Sequence, residues 1–136
     1  MYKRQVLEGR YFRKRVKEQT LLAERYDDEF SVVVISLSDA VTSGVYSSVL
    51  DAITERLRRT DMAFLYQKRF AVVLPRLGSA TLRAMLERIQ TLVSVGAGNE
   101  AVKRIVGATY PSERFTNARA ILDWSEDQLR DEPMDE

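Results

Sequence analysis

The order of apolar runs along this 136-residue chain predicts a mixed α/β (α+β) fold with a β-α-β-β-α-β core, the ferredoxin-like arrangement. Three observations carry the prediction. Short runs rich in β-branched residues alternate with segments whose apolar positions recur every three or four residues. Two of the short runs, Met62–Tyr66 and Phe70–Leu74, are parted only by Gln67, Lys68 and Arg69, the length of a hairpin connection. No repeat, low-complexity tract or composition shift divides the chain, so residues 1–136 read as a single domain.

Each element has its own reason. Glu8 to Tyr26 sets Phe12, Val16, Thr20, Leu22 and Tyr26 near helical spacing, with charges between them, and Asp27-Asp28-Glu29 breaks the pattern. Phe30 to Leu37 is too short for a buried helix and reads as a central strand. After a Ser-, Thr- and Asp-rich connection from Ser38 to Gly44, Val45, Val49, Ile53 and Leu57 recur at every fourth position of a second helix. Beyond the hairpin, Pro75 and Gly78 punctuate the exit, and Ser79 is read as the cap of a helix carrying Leu82, Met85, Leu86, Ile89, Leu92 and Val93. Gly96 to Asn99 is read as a loop and Ile105 to Tyr110 as a strand ended by Pro111. A last helix from about Thr116 to Arg130 carries Ile121, Trp124 and Leu129. Such a sheet lays its crossover helices on one face, so apolar strands are expected. Residues 1–7 are read as a linker or non-native sequence, and the acidic end 131–136 as a frayed tail.

Composition removes whole classes of chemistry. The chain has no histidine and no cysteine, which excludes a Ser-His-Asp triad, a thiolate nucleophile, a disulfide framework and a zinc ribbon. With 21 basic and 20 acidic residues, the net charge of +1 argues against a general nucleic-acid binder. No stretch resembles a membrane span or a signal peptide, so the expected location is the cytoplasm. The balance conceals an asymmetry: the first 25 residues are basic, with Arg10, Arg13, Lys14, Arg15 and Lys17 in close order, while the end is acidic. The basic start can touch phosphates or anionic lipid, or simply form a solvated helix face.

Several motifs, in order, resemble the GGDEF domains of diguanylate cyclases. Gly9-Arg10-Tyr11-Phe12 is similar to the "N-R-R-Y-F" that opens the family's first helix, and Val32 to Ser38 to its first strand, "L-L-L-I-D-L-D". Arg58-Arg59-Thr60-Asp61 followed by Phe70-Ala71-Val72-Val73-Leu74-Pro75 resembles "R-R-S-D … E-F-A-V-L-L-P". Ile105 to Pro111 resembles "S-I-G-V-A-T-Y-P". The resemblance runs from about Leu7 to Arg130 and implies the nucleotidyl-cyclase palm version of the predicted core, with a mostly antiparallel sheet flanked by helices.

The departures bear on activity. Ser36 and Ser38 stand where the family's first strand supplies aspartates for divalent metal, and a hydroxyl does not replace a carboxylate on a hard cation. Asp39 lies next door, and strand alternation points it elsewhere. Tyr66-Gln67-Lys68-Arg69-Phe70 replaces the signature Gly-Gly-Asp/Glu-Glu-Phe loop, so its acidic metal ligand becomes Lys68 or Arg69. The Lys68-Arg69 pair itself reads as a solvated hairpin tip. The segment after the first strand is shorter than the family's, and the C-terminal phosphate-contacting motif is missing. No catalytic residue, metal ligand or cofactor is therefore expected, and the chain is not expected to be an enzyme.

One motif remains. Arg58-x-x-Asp61 occupies the position of the family's inhibitory site, which binds cyclic di-GMP. The resemblance implies ligand contacts from Arg58, Asp61 and Arg88, with Arg83 one turn earlier as substitute or assistant. A guanidinium fork reads guanine O6 and N7, and a carboxylate accepts from N1 and N2. The bland alternative keeps Arg58 as a cation at a helix C-terminus and Asp61 as a residue leading into a strand. The expected function is a catalytically inactive cyclic di-GMP receptor or regulatory module within a larger bacterial signalling protein. Its character is similar to the PelD-type receptors that control polysaccharide export, whose parent is anchored at the inner membrane. Other domains of that parent are its expected partners, and a homodimer is allowed. The alternative is a protein-interaction or dimerisation domain with no nucleotide ligand.

Overall fold

The computed structural model describes residues 5–37, 43–55, 57–58, 60–66, 69–97 and 102–129. Its elements are β1 (Gln5–Glu8), a 3-10 turn (Gly9–Tyr11), α1 (Phe12–Tyr26), β2 (Phe30–Leu37), α2 (Ser43–Thr54), β3 (Met62–Tyr66), β4 (Arg69–Pro75), α3 (Ser79–Ala97), β5 (Val102–Tyr110) and α4 (Ala118–Leu129). They form one five-stranded sheet in the order β1-β3-β4-β2-β5. All neighbours are antiparallel except β1, which runs parallel to β3. The four strands after β1 reproduce the predicted β-α-β-β-α-β core, and the mixed α+β class holds.

The crossover helices α2 and α3 share one face of the sheet, as expected, and α1 and α4 cover the other. Phe12, Val16 and Ala23 of α1 and Ile121, Leu122 and Leu129 of α4 bury Val32, Val34, Phe64 and Val73 on one side. Val49 and Ile53 of α2 and Leu82 and Ile89 of α3 bury Val33, Ile35, Val72 and Leu74 on the other. This explains why all eight residues of β2 are buried and why the strand reads as an unbroken apolar run. Ser31, the polar residue inside it, is satisfied by donating to the Leu77 carbonyl at 2.6 Å and by a 2.8 Å bond with the Thr109 hydroxyl.

The remaining differences are local. Residues 5–7 of the expected linker form, with Glu8, the edge strand β1, which four residues of sequence were too short to announce. Gly9 lets the chain pass close to β3: a Cβ there would sit 2.8 Å from the Tyr66 ring and 2.9 Å from the Leu65 carbonyl. α1 ends at Asp27, whose left-handed φ of 53° fits a short polar side chain. Leu57 lies beyond α2 yet is buried, so the four-residue period outruns the helix. Gly78, not Ser79, supplies the first carbonyl of α3, accepting the Leu82 N–H at 2.9 Å. α3 continues through Gly96 to Ala97, and β5 begins three residues before the predicted strand. Arg69 belongs to β4 rather than to a solvated tip; Gln67 and Lys68 fall outside the described residues, as do Ser38, Asp39 and the acidic tail. Trp124 packs edge-on against Phe115, as a core-facing residue should. Among the described residues, no helix is long and apolar enough to cross a membrane.

Candidate functional site

The connection between α2 and β3 folds back on itself around one carboxylate. Asp61 is 0 % exposed. Its Oδ2 accepts the Arg58 backbone N–H at 2.7 Å, and its own N–H donates to the Arg58 carbonyl at 3.1 Å. The Arg58 side chain closes a second ring, donating from Nε and Nη2 to Oδ1 at 3.1 and 2.9 Å. Nη2 also donates to the Pro75 carbonyl at the end of β4, at 2.6 Å. The three-residue spacing is what lets one carboxylate serve both the backbone and the guanidinium, a charge-assisted fork that fixes the arginine's direction. Nη1 is the nitrogen these bonds do not use, and the Arg58 side chain is still 45 % exposed.

Arg58 opens onto a cavity of about 470 Å³, within the range of small-molecule sites. Its walls include Leu22 and Tyr26 of α1, Asp28 and Glu29 of the following turn, and Thr60 and Arg76 at the sheet end. Arg76 takes a left-handed φ of 56° as the chain leaves β4 and pairs with Asp28 at 3.4 Å, with the arginine largely in solvent and the aspartate more than half covered. The cavity thus offers two guanidiniums, two carboxylates and an exposed aromatic ring. The sequence motif led to Arg58 and Asp61, which the structure brings together. Arg83 and Arg88 are exposed on α3, and neither lines this cavity. The α1 wall and Arg76 were missed; the exposed Tyr26 beside three acids was the only signal.

The opposite end of the sheet carries the residues expected to replace a metal site. Ser36, buried near the end of β2, is paired with Arg69 on β4 and with Arg104 on β5. Arg69 in turn opposes Tyr66 on β3. Directly opposed residues share a face, so Tyr66, Arg69, Ser36 and Arg104 form one row beneath α1 and α4. A neutral side chain in register with two arginines offers a divalent cation neither a charged ligand nor a favourable field. Among the described residues, no group of three or more acidic side chains is placed to hold a metal ion.

Two tyrosines mark the two ends. Tyr66 donates to the Gly9 carbonyl at 2.9 Å, and its hydroxyl is pushed up to about 12 by burial and then by the charge of Glu126, which Arg13 holds at 2.8 Å. Tyr110 donates to Glu24 at 2.7 Å and is likewise pushed up to about 12, by burial first and then by that carboxylate.

No protein-family model matches the chain, and no curated protein does. Solved structures do. A DGC protein from Thermotoga maritima superposes with a TM-score of 0.71 at 21 % identity, over 90 % of this chain and 95 % of that one. The GGDEF domain of YfiN (TpbB) from Pseudomonas aeruginosa gives 0.65 at 19 %, over 91 % and 82 % of the two chains. The GGDEF domain of DgcB from Caulobacter crescentus, solved in complex with c-di-GMP, gives 0.68 at 16 %, over 90 % and 80 %. The chain therefore has the fold of the GGDEF domains of diguanylate cyclases, the palm-like α+β architecture expected from its motifs.

Proposed function

We propose that this chain is a catalytically inactive GGDEF-like domain that acts as a cyclic di-GMP receptor or regulatory module in a larger bacterial signalling protein. The observation that carries this reading is Arg58, locked by a buried carboxylate and a carbonyl at the mouth of a cavity large enough for part of a nucleotide. The row with Ser36 between Arg69 and Arg104 supports inactivity, because a cyclase needs negative charge there to hold metal against a triphosphate.

The bonding changes the division of labour within the motif. Both Asp61 oxygens are engaged by Arg58, so Asp61 positions the arginine, and the ligand contact falls to Arg58. Arg76 is the second cation of the same cavity. Contacts from Arg88 and Arg83, reaching a bound ligand from α3, belong to this proposal and are separately testable. So does the finer placement among PelD-type receptors that regulate polysaccharide export.

Isothermal titration with cyclic di-GMP tests the reading. Binding is expected for the unaltered chain and is lost in Arg58→Ala, with Arg76→Ala about tenfold weaker, the scale of one lost charged contact. Arg83→Ala and Arg88→Ala weaken binding only where those side chains reach the ligand. Absence of heat at protein concentrations of tens of micromolar overturns the receptor role, and cyclic di-GMP formed from GTP with Mg²⁺ or Mn²⁺ overturns inactivity. A second reading, an interaction or dimerisation domain with no nucleotide ligand, is favoured by the complete burial of Asp61. The same titration separates the two.

A further inference from the structure

We propose that the α1/α4 face is a self-complementary docking surface for a second copy of this chain. Arg10 of the 3-10 turn and Arg13, Lys14 and Lys17 on the outward stripe of α1 line a shallow groove of about 430 Å³ that ends at Leu21, which is 66 % exposed. Beside it, the outward stripe of α4 carries Arg119, Asp123 and Asp127, all exposed. Arg119 and Asp123 pair at 3.6 Å in solvent. One layer therefore presents a basic, partly apolar ridge next to an acidic one.

The Arg13–Glu126 ion pair at 2.8 Å sets the relation of the ridges, because it joins the start of α1 to the end of α4. The helices are antiparallel neighbours. A two-fold axis across the helices would stack α1 on α1 and place like charges together. An axis along the helices stacks α1 of one copy on α4 of the other, and it keeps every residue at its own level. Counting from the Arg13–Glu126 pair at about 1.5 Å per residue, Lys14 then falls between the partner's Asp123 and the partner's Asp127. Lys17 lies beside the partner's Asp123, while Glu18 and Leu21 flank the partner's Arg119. The negative residue of the basic ridge meets the positive residue of the acidic one, so the match extends to the exceptions.

This pattern selects the occupant. An anionic bilayer would be attracted by α1 and repelled by Asp123, Glu126 and Asp127 on the same face. A second copy satisfies both ridges and covers Leu21. The inference does not depend on the Arg58 cavity.

Sedimentation velocity on the whole chain tests it. A reversible dimer is expected at roughly 50 mM salt, weakening by about tenfold near 500 mM as exposed pairs are screened. The charge reversals Lys14→Glu/Lys17→Glu and Asp123→Lys/Asp127→Lys each leave monomers, with unchanged circular dichroism because the sites are exposed. Mixing those two variants restores a dimer, since one then carries two acidic ridges and the other two basic ones. A chain that stays monomeric to millimolar concentration at low salt overturns the proposal. So does a dimer indifferent to both reversals, or a mixture that fails to associate. Capture of the monomer by phosphatidylserine vesicles, lost in Lys14→Glu/Lys17→Glu, would reassign the basic ridge to lipid.

Discussion

The two ends of the sheet hold arginines in opposite ways. Where β4 ends, Arg58 is locked by a buried carboxylate and a carbonyl, and the ring they close is three residues long. Where β4 begins, Arg69 and Arg104 stand in register with Ser36 on the two neighbouring strands. The first arrangement is local in sequence, so it is legible as a motif and serves folding whether or not a ligand arrives. The second is created by register alone and gives no motif at all. A short-range pair is thus weaker testimony for ligand binding than it looks, and a cluster made only by register across the strands is the more telling.

The largest expected effect comes from breaking the locked end. Asp61→Ala strands the Arg58 backbone N–H and releases its guanidinium, at a cost of about 2–4 kcal/mol in chemical denaturation. Arg58→Ala costs at least as much, because it leaves the fully buried Asp61 carboxylate without its cation, and Asp61→Ala/Arg58→Ala together should cost less than the sum of the two. At the other end, Gly9→Ala drives a methyl into the Tyr66 ring and the Leu65 carbonyl and costs about 1–3 kcal/mol by the same assay.

Alkaline pH compares the ends through their tyrosines. Each folded value, about 12, lies above the ordinary 10, so the folded chain holds these protons more tightly than the unfolded one. The contribution is full below pH 10 and is lost as pH rises toward 12. Thermal midpoints should therefore fall between those limits, and Tyr110→Phe or Tyr66→Phe should each flatten part of that fall.

The smallest expected effect is Ser36→Asp. The new carboxylate lies at a buried position in register with Arg69 and Arg104, whose charge offsets most of its desolvation, so stability falls by about 1–2 kcal/mol. Titration with Mn²⁺ should show no metal binding. A bound ion there would mean that the guanidiniums swing clear, and the contrast between the ends would be lost.

How much was legible follows from the range of each interaction. Runs such as Phe30–Leu37 and the period of Leu82, Met85, Leu86 and Ile89 are local, and they led to the right elements in the right order. The coverage of both faces was written in β2, whose eight residues show no polar alternation. β1 escaped because its stability comes from pairing with Met62–Leu65, more than fifty residues away. At the candidate site, Arg58 and Asp61 were visible as neighbours. Arg76 was not, since it reaches the cavity through a left-handed turn, and neither was the wall from α1.

The two-sided burial of β2 has a consequence for motion. One strand supplies the floor of both helical layers and is bonded on each edge, by β4 and by β5. Neither layer can lift away without exposing apolar surface that β2 shares with the other. Its amides should then exchange with solvent only when the whole domain opens, as one cooperative unit. Whatever docks on the α1/α4 face or enters the Arg58 cavity acts on that single opening equilibrium, and so each would slow the same set of amides.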